Sequence, residues 1–201
     1  MTAPEPSPNP PKLVLCAAFP PELEALRREL AGEPVEFRVL GVGLVDSALG
    51  AGSTLVAGRP ALLVGTVGAY PPSGLEIGAL VTAGSLALAA DPAELPDMLA
   101  GGLPAIPVDG FPVVRVGTTL GVTVDDALAA RLGARHDVEH MEGYAVARAA
   151  ARIGAPFRAV FAVANAVGAR GRAEWLSNHR RVSDRLAHEL APRVRALLAT
   201  L

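Results

Sequence analysis

Met141 and Glu142 sit in the segment Val138-Glu139-His140-Met141-Glu142-Gly143, and about twenty residues later an apolar run stops at Asn165. A carboxylate can accept hydrogen bonds from vicinal hydroxyls, a thioether can pack on a sugar face, and a side-chain amide offers a heterocycle both a donor and an acceptor. Those are the means of holding a ribose and a purine. Cleaving the bond between them asks for little nucleophilic power, because the sugar develops oxocarbenium character as the base departs. The protein has to place a water, take its proton and hydrogen-bond the leaving purine. Glu22, just after the first apolar run, is the candidate to take that proton.

Each of these residues also has a plainer reading. Glu22 could be a first-turn carboxylate complementing a helix dipole, and Glu24 is a weaker competitor suited to a solvated helix face. Glu142, between Met141 and Gly143, is costly to bury unless something pairs with it. It is therefore either a ribose ligand or an exposed carboxylate early in a helix. Glu139 is expected to cap that helix or face solvent. Asn165 either presents its amide to a purine or forms a strand-end turn. Gly43 and the run Gly65-Thr66-Val67-Gly68 could let backbone amides approach a ligand, although glycine at strand ends is routine. Trp175 either packs the start of the last helix or helps cover the site.

The elements that must position these groups follow from apolar patterning. Strands are expected over 13–18, 35–40, 61–67, 77–89, 113–117 and 157–164. Helices are expected over 22–30, 45–57, 123–132 with Thr123 as cap, 139–153, and from Ala173 to the C-terminus. Residues 92–112 read as a loop-rich connection with one short helix, and 1–11 as a disordered or extended Pro-rich tail. Continuous apolar strands alternating with helices imply a single α/β domain over 12–201, with a central mixed β-sheet flanked by helices. Ligands of such sheets bind at the carboxyl ends of strands. Glu22, Gly41 and Gly43, Thr66 to Gly68, and Asn165 all fall at such ends.

Composition narrows the function classes. The 201 residues are 51% hydrophobic with a formal net charge of -2, so neither a basic footprint for nucleic acid nor a membrane-spanning run is present. The single Cys16 rules out an internal disulfide, and the first dozen residues hold no apolar signal core, which points to the cytoplasm. His136, His140, His179 and His188 lack metal-ligand spacing, and no GxSxG elbow or Walker-type loop occurs. No metal and no cofactor are expected.

Three segments carry a resemblance: LVLCAAFPPELEALRREL; GVGLVDSALGAGSTL followed by LLVGTVGA; and VEHMEGYAVARAAARIGAPFRAVFAVANAVGARGRAEW. On these the chain resembles the nucleoside phosphorylase and nucleosidase family over nearly all of 12–201, and within it most closely the futalosine hydrolases. The resemblance implies a nucleoside phosphorylase-like fold, with Glu22 activating water, Met141 and Glu142 binding ribose, and Asn165 contacting the base. It also implies a small-molecule purine nucleoside as ligand and a homo-oligomer, dimer or larger. An amide at 165, where nucleosidases of 6-aminopurines carry Asp, suits a 6-oxopurine. Leu62-Leu63-Val64 ahead of Gly65, in place of the Arg of hexameric phosphorylases, favours water over phosphate. Pro20-Pro21 replace the family's acidic cluster, which leaves Glu24 as a second position for the carboxylate. The purine-stacking loop, here Gly117 to Asp126, has no aromatic residue, so Phe111 or a partner subunit is left to stack on the base. Besides futalosine hydrolysis, the readings are a nucleosidase for methylthioadenosine, S-adenosylhomocysteine or aminofutalosine, and a nucleoside-binding protein without catalysis.

Overall fold

In the computed structural model, which describes residues 11–90 and 101–201, the continuous apolar runs form the central strands and the runs of helical spacing lie across them. The order is β1 (Leu13–Ala17), α1 (Pro21–Glu29), β2 (Val35–Val39), α2 (Gly43–Thr54), β3 (Ala61–Ala69), a 3-10 turn (Pro71–Ser73), β4 (Leu80–Leu88), β5 (Leu103–Pro104), β6 (Val113–Thr118), α3 (Asp126–Gly133), β7 (Val138–His140), α4 (Gly143–Ile153), β8 (Phe157–Ala166) and α5 (Gly171–Leu198). The expected tail lies outside the described residues, as does most of the first half of the 92–112 connection. No helix among the described residues is long and apolar enough to cross a membrane.

The sheet is mixed. Parallel pairs join β1 to β2 and β3, β3 to β8, and β6 to β4 and β7. Antiparallel pairs join β3 to β7, β4 to β8 and β4 to β5. The pairings β3–β8–β4–β6–β7–β3 close a ring, and β2–β1 extend from it as an open wing. The side chains of β3 alternate between two cores. Leu63 and Val67 pack with Val146 of α4 and Ala51 of α2, while Leu62 and Val64 pack with Leu26 of α1 and Leu186 and Leu190 of α5. Each fully buried aliphatic side chain stabilises by about 1.5–3 kcal/mol relative to exposure, so a strand buried on both faces anchors the site at its end.

Two local expectations are corrected. The helix expected over 139–153 begins only at Gly143, because Val138–His140 is a strand closing the ring between β3 and β6. The cap of α3 is Asp125, whose carboxylate accepts from Leu128 N at 2.6 Å, and not Thr123, whose amide and hydroxyl donate to Glu139. β3 also runs on through Gly68 to Ala69, with a register shift against β8 between Val67 and Gly68.

Helix α2 crosses the chain just after β2 so closely that a Cβ on Gly50 would stand 2.0 Å from the Leu40 carbonyl oxygen, whereas one on Gly52 would meet nothing within 4 Å. Overpacking against fixed backbone costs on the order of 3 kcal/mol, or roughly 6–12 °C in a domain of this size. Thermal denaturation followed by circular dichroism should show that loss for Gly50→Ala and no loss for Gly52→Ala.

Candidate active site

A cleft of about 300 Å³ opens where the carboxyl ends of β1, β3 and β8 meet the β7–α4 junction and the start of α5. Glu22, Thr66, Gly68, Met141, Glu142 and Asn165 line it together. Glu22 projects from the first turn of α1, which Pro21 can start because the amide it lacks has no partner at that position. The side chain is buried at 5% exposure. Its Oε1 accepts from Thr66 N at 2.8 Å and from Thr66 Oγ1 at 3.1 Å. Oε2 is buried with no hydrogen-bond partner among the described residues. Burial pushes the Glu22 carboxyl up to about 8; the Thr66 amide bond opposes the shift and the nearby charge of Glu142 adds to it.

Glu142 occupies the N-cap position of α4 yet makes no cap bond to that helix. Its Oε1 instead accepts from Gly43 N, at the start of α2, at 2.7 Å, so it compensates the positive end of a neighbouring helix. The second oxygen lies 3.2 Å from His140 Nδ1, and Glu142 N lies 3.2 Å from the same nitrogen. The imidazole is thereby locked beside the carboxylate. Burial holds its pKa below the ordinary histidine range, against the pull of Glu142. A Cβ at Gly65 would stand 3.0 Å from Glu22 Oε1 and 3.2 Å from His140 Nε2, so the glycine leaves the space that both side chains border.

Asn165, the penultimate residue of β8, donates from Nδ2 to Ala166 O at 2.9 Å. A Cβ at Gly68 would lie 2.8 Å from that Nδ2, which explains a glycine in a buried strand. Glu139 gathers three donors: Thr123 N at 3.0 Å, Thr123 Oγ1, and Tyr70 OH at 3.1 Å. Burial and the Glu139 charge push the Tyr70 hydroxyl pKa upward and keep it a donor. Val122, which lines the cleft, is thus tethered through the residue after it.

No family model matches the chain, and no curated protein matches it. Solved structures do. A futalosine hydrolase mutant of Helicobacter pylori superposes with a TM-score of 0.81 at 14% identity, covering 92% of this chain and 98% of that one. A 5'-methylthioadenosine/S-adenosylhomocysteine nucleosidase from Helicobacter pylori, with butyl-thio-DADMe-Immucillin-A, superposes at 0.82 and 14%, covering 93% and 99%. The apo 5'-methylthioadenosine nucleosidase of Arabidopsis thaliana gives 0.80 and 18%, covering 96% and 100%. The chain has the nucleosidase fold.

On that fold, Glu22 and not Glu24 enters the cleft, since Glu24 is exposed on the outer side of α1. Three expectations are corrected. Val67 faces the core at 1% exposure and does not line the cleft, because it alternates with Thr66 along β3. Gly43 reaches the site only through its amide on Glu142. Glu139 neither caps α4 nor faces solvent but is buried in the Thr123 and Tyr70 network. Phe111 lies under the Arg193 guanidinium at 4.4 Å, away from the cleft. The cleft's aromatic residues are Phe19, His140 and Trp175. Phe19 and His140 were missed, although His140 is next to Met141 and Phe19 is three residues from Glu22. Among the described residues no cluster of His, Cys, Asp or Glu could hold a metal ion.

A carboxyl raised from 4.5 to about 8 in the folded state contributes stability that is fully present below about pH 4.5 and is lost as pH rises to about 8. The neutral amide of Glu22→Gln avoids that loss. Its thermal midpoint should match the wild type near pH 4 and exceed it by on the order of 10 °C at alkaline pH, each pH unit by which the carboxyl is raised being worth about 1.4 kcal/mol and each kcal/mol about 2–4 °C. Equal midpoints across the range, measured calorimetrically, would show that the carboxyl is not raised by burial.

Proposed function

We propose that this chain is an N-glycosyl hydrolase of purine nucleosides whose substrate is futalosine, releasing hypoxanthine and dehypoxanthinylfutalosine in menaquinone biosynthesis. The observation that carries the hydrolytic reading is Glu22: a buried carboxyl with Oε1 filled by Thr66 and Oε2 unpartnered, in one cleft with Glu142 and Asn165. A water held at Oε2 gives its proton to the carboxylate while its oxygen bonds to the anomeric carbon. The glycosidic electron pair leaves with the purine. Glu142, anchored by Gly43, holds the ribose hydroxyls beside Met141, and Asn165 hydrogen-bonds the departing base. The residues leading into Gly65 are the buried Leu62, Leu63 and Val64, none of which supplies a cation to a phosphate; this supports water as the nucleophile.

The 6-oxopurine reading rests on the amide at 165. A carboxylic acid can protonate N7 of adenine, whereas an amide can only hydrogen-bond it, which suits hypoxanthine as leaving group. A homo-oligomer belongs to the same proposal, supported by exposed Val42, Val45 and Leu49 along the start of α2 and exposed Val122 and Leu176 beside the cleft. Light scattering on the purified protein should give a mass of at least two chains, and a monomer would remove that part.

Base release tests the activity. The purified protein, incubated with futalosine, inosine and methylthioadenosine, should release hypoxanthine from futalosine at the same rate with and without phosphate. Asn165→Asp should gain at least about tenfold on the adenine nucleoside, the order expected when a proton donor is added. Adenine from the wild type would move the assignment to a methylthioadenosine or S-adenosylhomocysteine nucleosidase, and no base from any of the three would sink hydrolysis. Because Glu22 must be ionised to accept a proton and its carboxyl is pushed up to about 8, kcat/KM should rise with pH and level off above about 8.

A further inference from the structure

Two adjacent residues near the start of α5, Glu174 and Trp175, reach the two ends of the cleft through separate hydrogen-bond chains. Trp175 Nε1 donates to Thr66 Oγ1 at 3.0 Å, and Thr66 Oγ1 is 3.1 Å from Glu22 Oε1. An indole nitrogen only donates and a hydroxyl has one proton. Thr66 Oγ1 therefore accepts from Trp175, and its proton points at Glu22. Thr66 N adds a second donor to the same Oε1 at 2.8 Å. With two donors on one carboxyl oxygen, the proton that Glu22 carries or releases resides on the other. On the second chain, Glu174 Oε2 accepts from Ala166 N at 2.9 Å, and Ala166 O accepts from Asn165 Nδ2 at 2.9 Å. The amide of Asn165 is thereby turned with its nitrogen toward the main chain.

We propose that Glu174 and Trp175 are a positioning pair for hydrolysis: Trp175, through Thr66, assigns proton transfer to Oε2 of Glu22, and Glu174, through Ala166, sets the orientation of the Asn165 amide. The inference rests on the nucleosidase reading; Trp175 also packs against the core under α5, and its N–H bond to Thr66 is additional to that packing. Trp175 lines the cleft, half-buried, stacked on His179 with centroids 4.4 Å apart and 6.0 Å from Phe19. A phenyl ring would preserve that stack; only the indole N–H makes the bond to Thr66.

Trp175 is the only tryptophan of the chain, so its emission reports on this chain of bonds without any need for turnover. The titratable and charged groups facing it are His179, stacked on the ring with the Arg180 charge beside it, and Glu22 through Thr66, with Glu142 and His140 beyond. Arg172 and Glu174 flank it on α5. Burial and the Arg180 charge hold the His179 pKa below the ordinary histidine range, which places its transition on the acid side, whereas the Glu22 carboxyl is pushed up to about 8. Wild-type emission should therefore change around pH 8, and the change should persist in His179→Gln and vanish in Glu22→Gln. A flat wild-type trace from about pH 7 to 9, or the same change in Glu22→Gln, overturns the Trp175 half of the proposal.

The kinetic arm uses Trp175→Phe and Glu174→Ala beside the wild type, whose base release tests the nucleosidase reading on its own. Trp175→Phe should lower kcat about tenfold with KM within about twofold, the size expected for one hydrogen bond to a reacting group. It should also move the rising limb of the pH profile upward, because the weakened Thr66 donor no longer favours the carboxylate. A fall in kcat with an unmoved limb assigns Trp175 to packing and overturns the proposal, as does wild-type kcat. Glu174→Ala should raise KM about tenfold and Glu174→Gln, which can still accept from Ala166 N, should restore it; failure of that rescue overturns the Glu174 half. If Trp175→Phe does not fold, the fluorescence comparison of wild type with Glu22→Gln decides the Trp175 half.

Discussion

The constraint on which the site depends is the burial of one carboxyl group at the end of a strand that is buried along its whole length. Every residue of β3 is buried, so a carboxyl brought against it leaves water and finds its main partners in that strand, with a weaker pull from the Ala18 amide. Thr66 supplies them from both main chain and side chain to a single oxygen. Two hydrogen bonds are too few to offset the desolvation of a full charge, which is why the carboxyl titrates at about 8 and not in the usual carboxylate range. In the proposed hydrolysis the same imbalance would favour Glu22 as the base, since a base that is solvated comfortably has little tendency to take a proton from water.

The cleft holds three buried carboxyl groups, Glu22, Glu139 and Glu142, and their partners separate their roles. Glu139 has a donor set shared between Thr123 and Tyr70, which makes it a fastening for the loop that bears Val122. Glu142 draws on the amide at the start of α2, with His140 packed beside its second oxygen, so it is held as an acceptor at the wall of the cleft. Glu22 alone has an oxygen without a partner among the described residues. Identical functional groups thus acquire different chemistry from the donors around them, the pattern expected where environment sets protonation.

Much of this was legible in the sequence because it was local. The apolar runs of β1, β3 and β8 and the helical spacing of α1 and α5 locate the strand ends, and Glu22, Thr66, Gly68, Met141, Glu142 and Asn165 fall where those ends converge. What was illegible depends on contacts distant in sequence. Val138–His140 is only three residues long and carries two polar side chains, so it has no period that distinguishes it from the first turn of a helix; pairing with β3 and β6 makes it a strand. Thr123 and Asp125 are both good caps, and the choice between them is made by Glu139, sixteen residues on. Val67 belongs to the glycine-bounded run Gly65 to Gly68, but strand alternation assigns it to the opposite face. Phe19 carries no motif at all, and only the folding of α5 over β3 brings Trp175 to it.

Gly65 and Gly68 show how the strand accommodates both packing and chemistry. At the buried end of β3 a larger residue would add apolar contact, yet a Cβ at 65 would crowd Glu22 and His140, and one at 68 would overlap the Asn165 amide and Val167. Glycine inside a strand weakens it, and here both glycines pair with β8 while Gly68 is also paired by β7 on the other side. Closure of the ring thus stabilises the positions that the site leaves underpacked. The short β7 supplies that closure while its own residues, Glu139 and His140, turn into the cleft, so the strand that is hardest to recognise in the sequence ties the fold to the site.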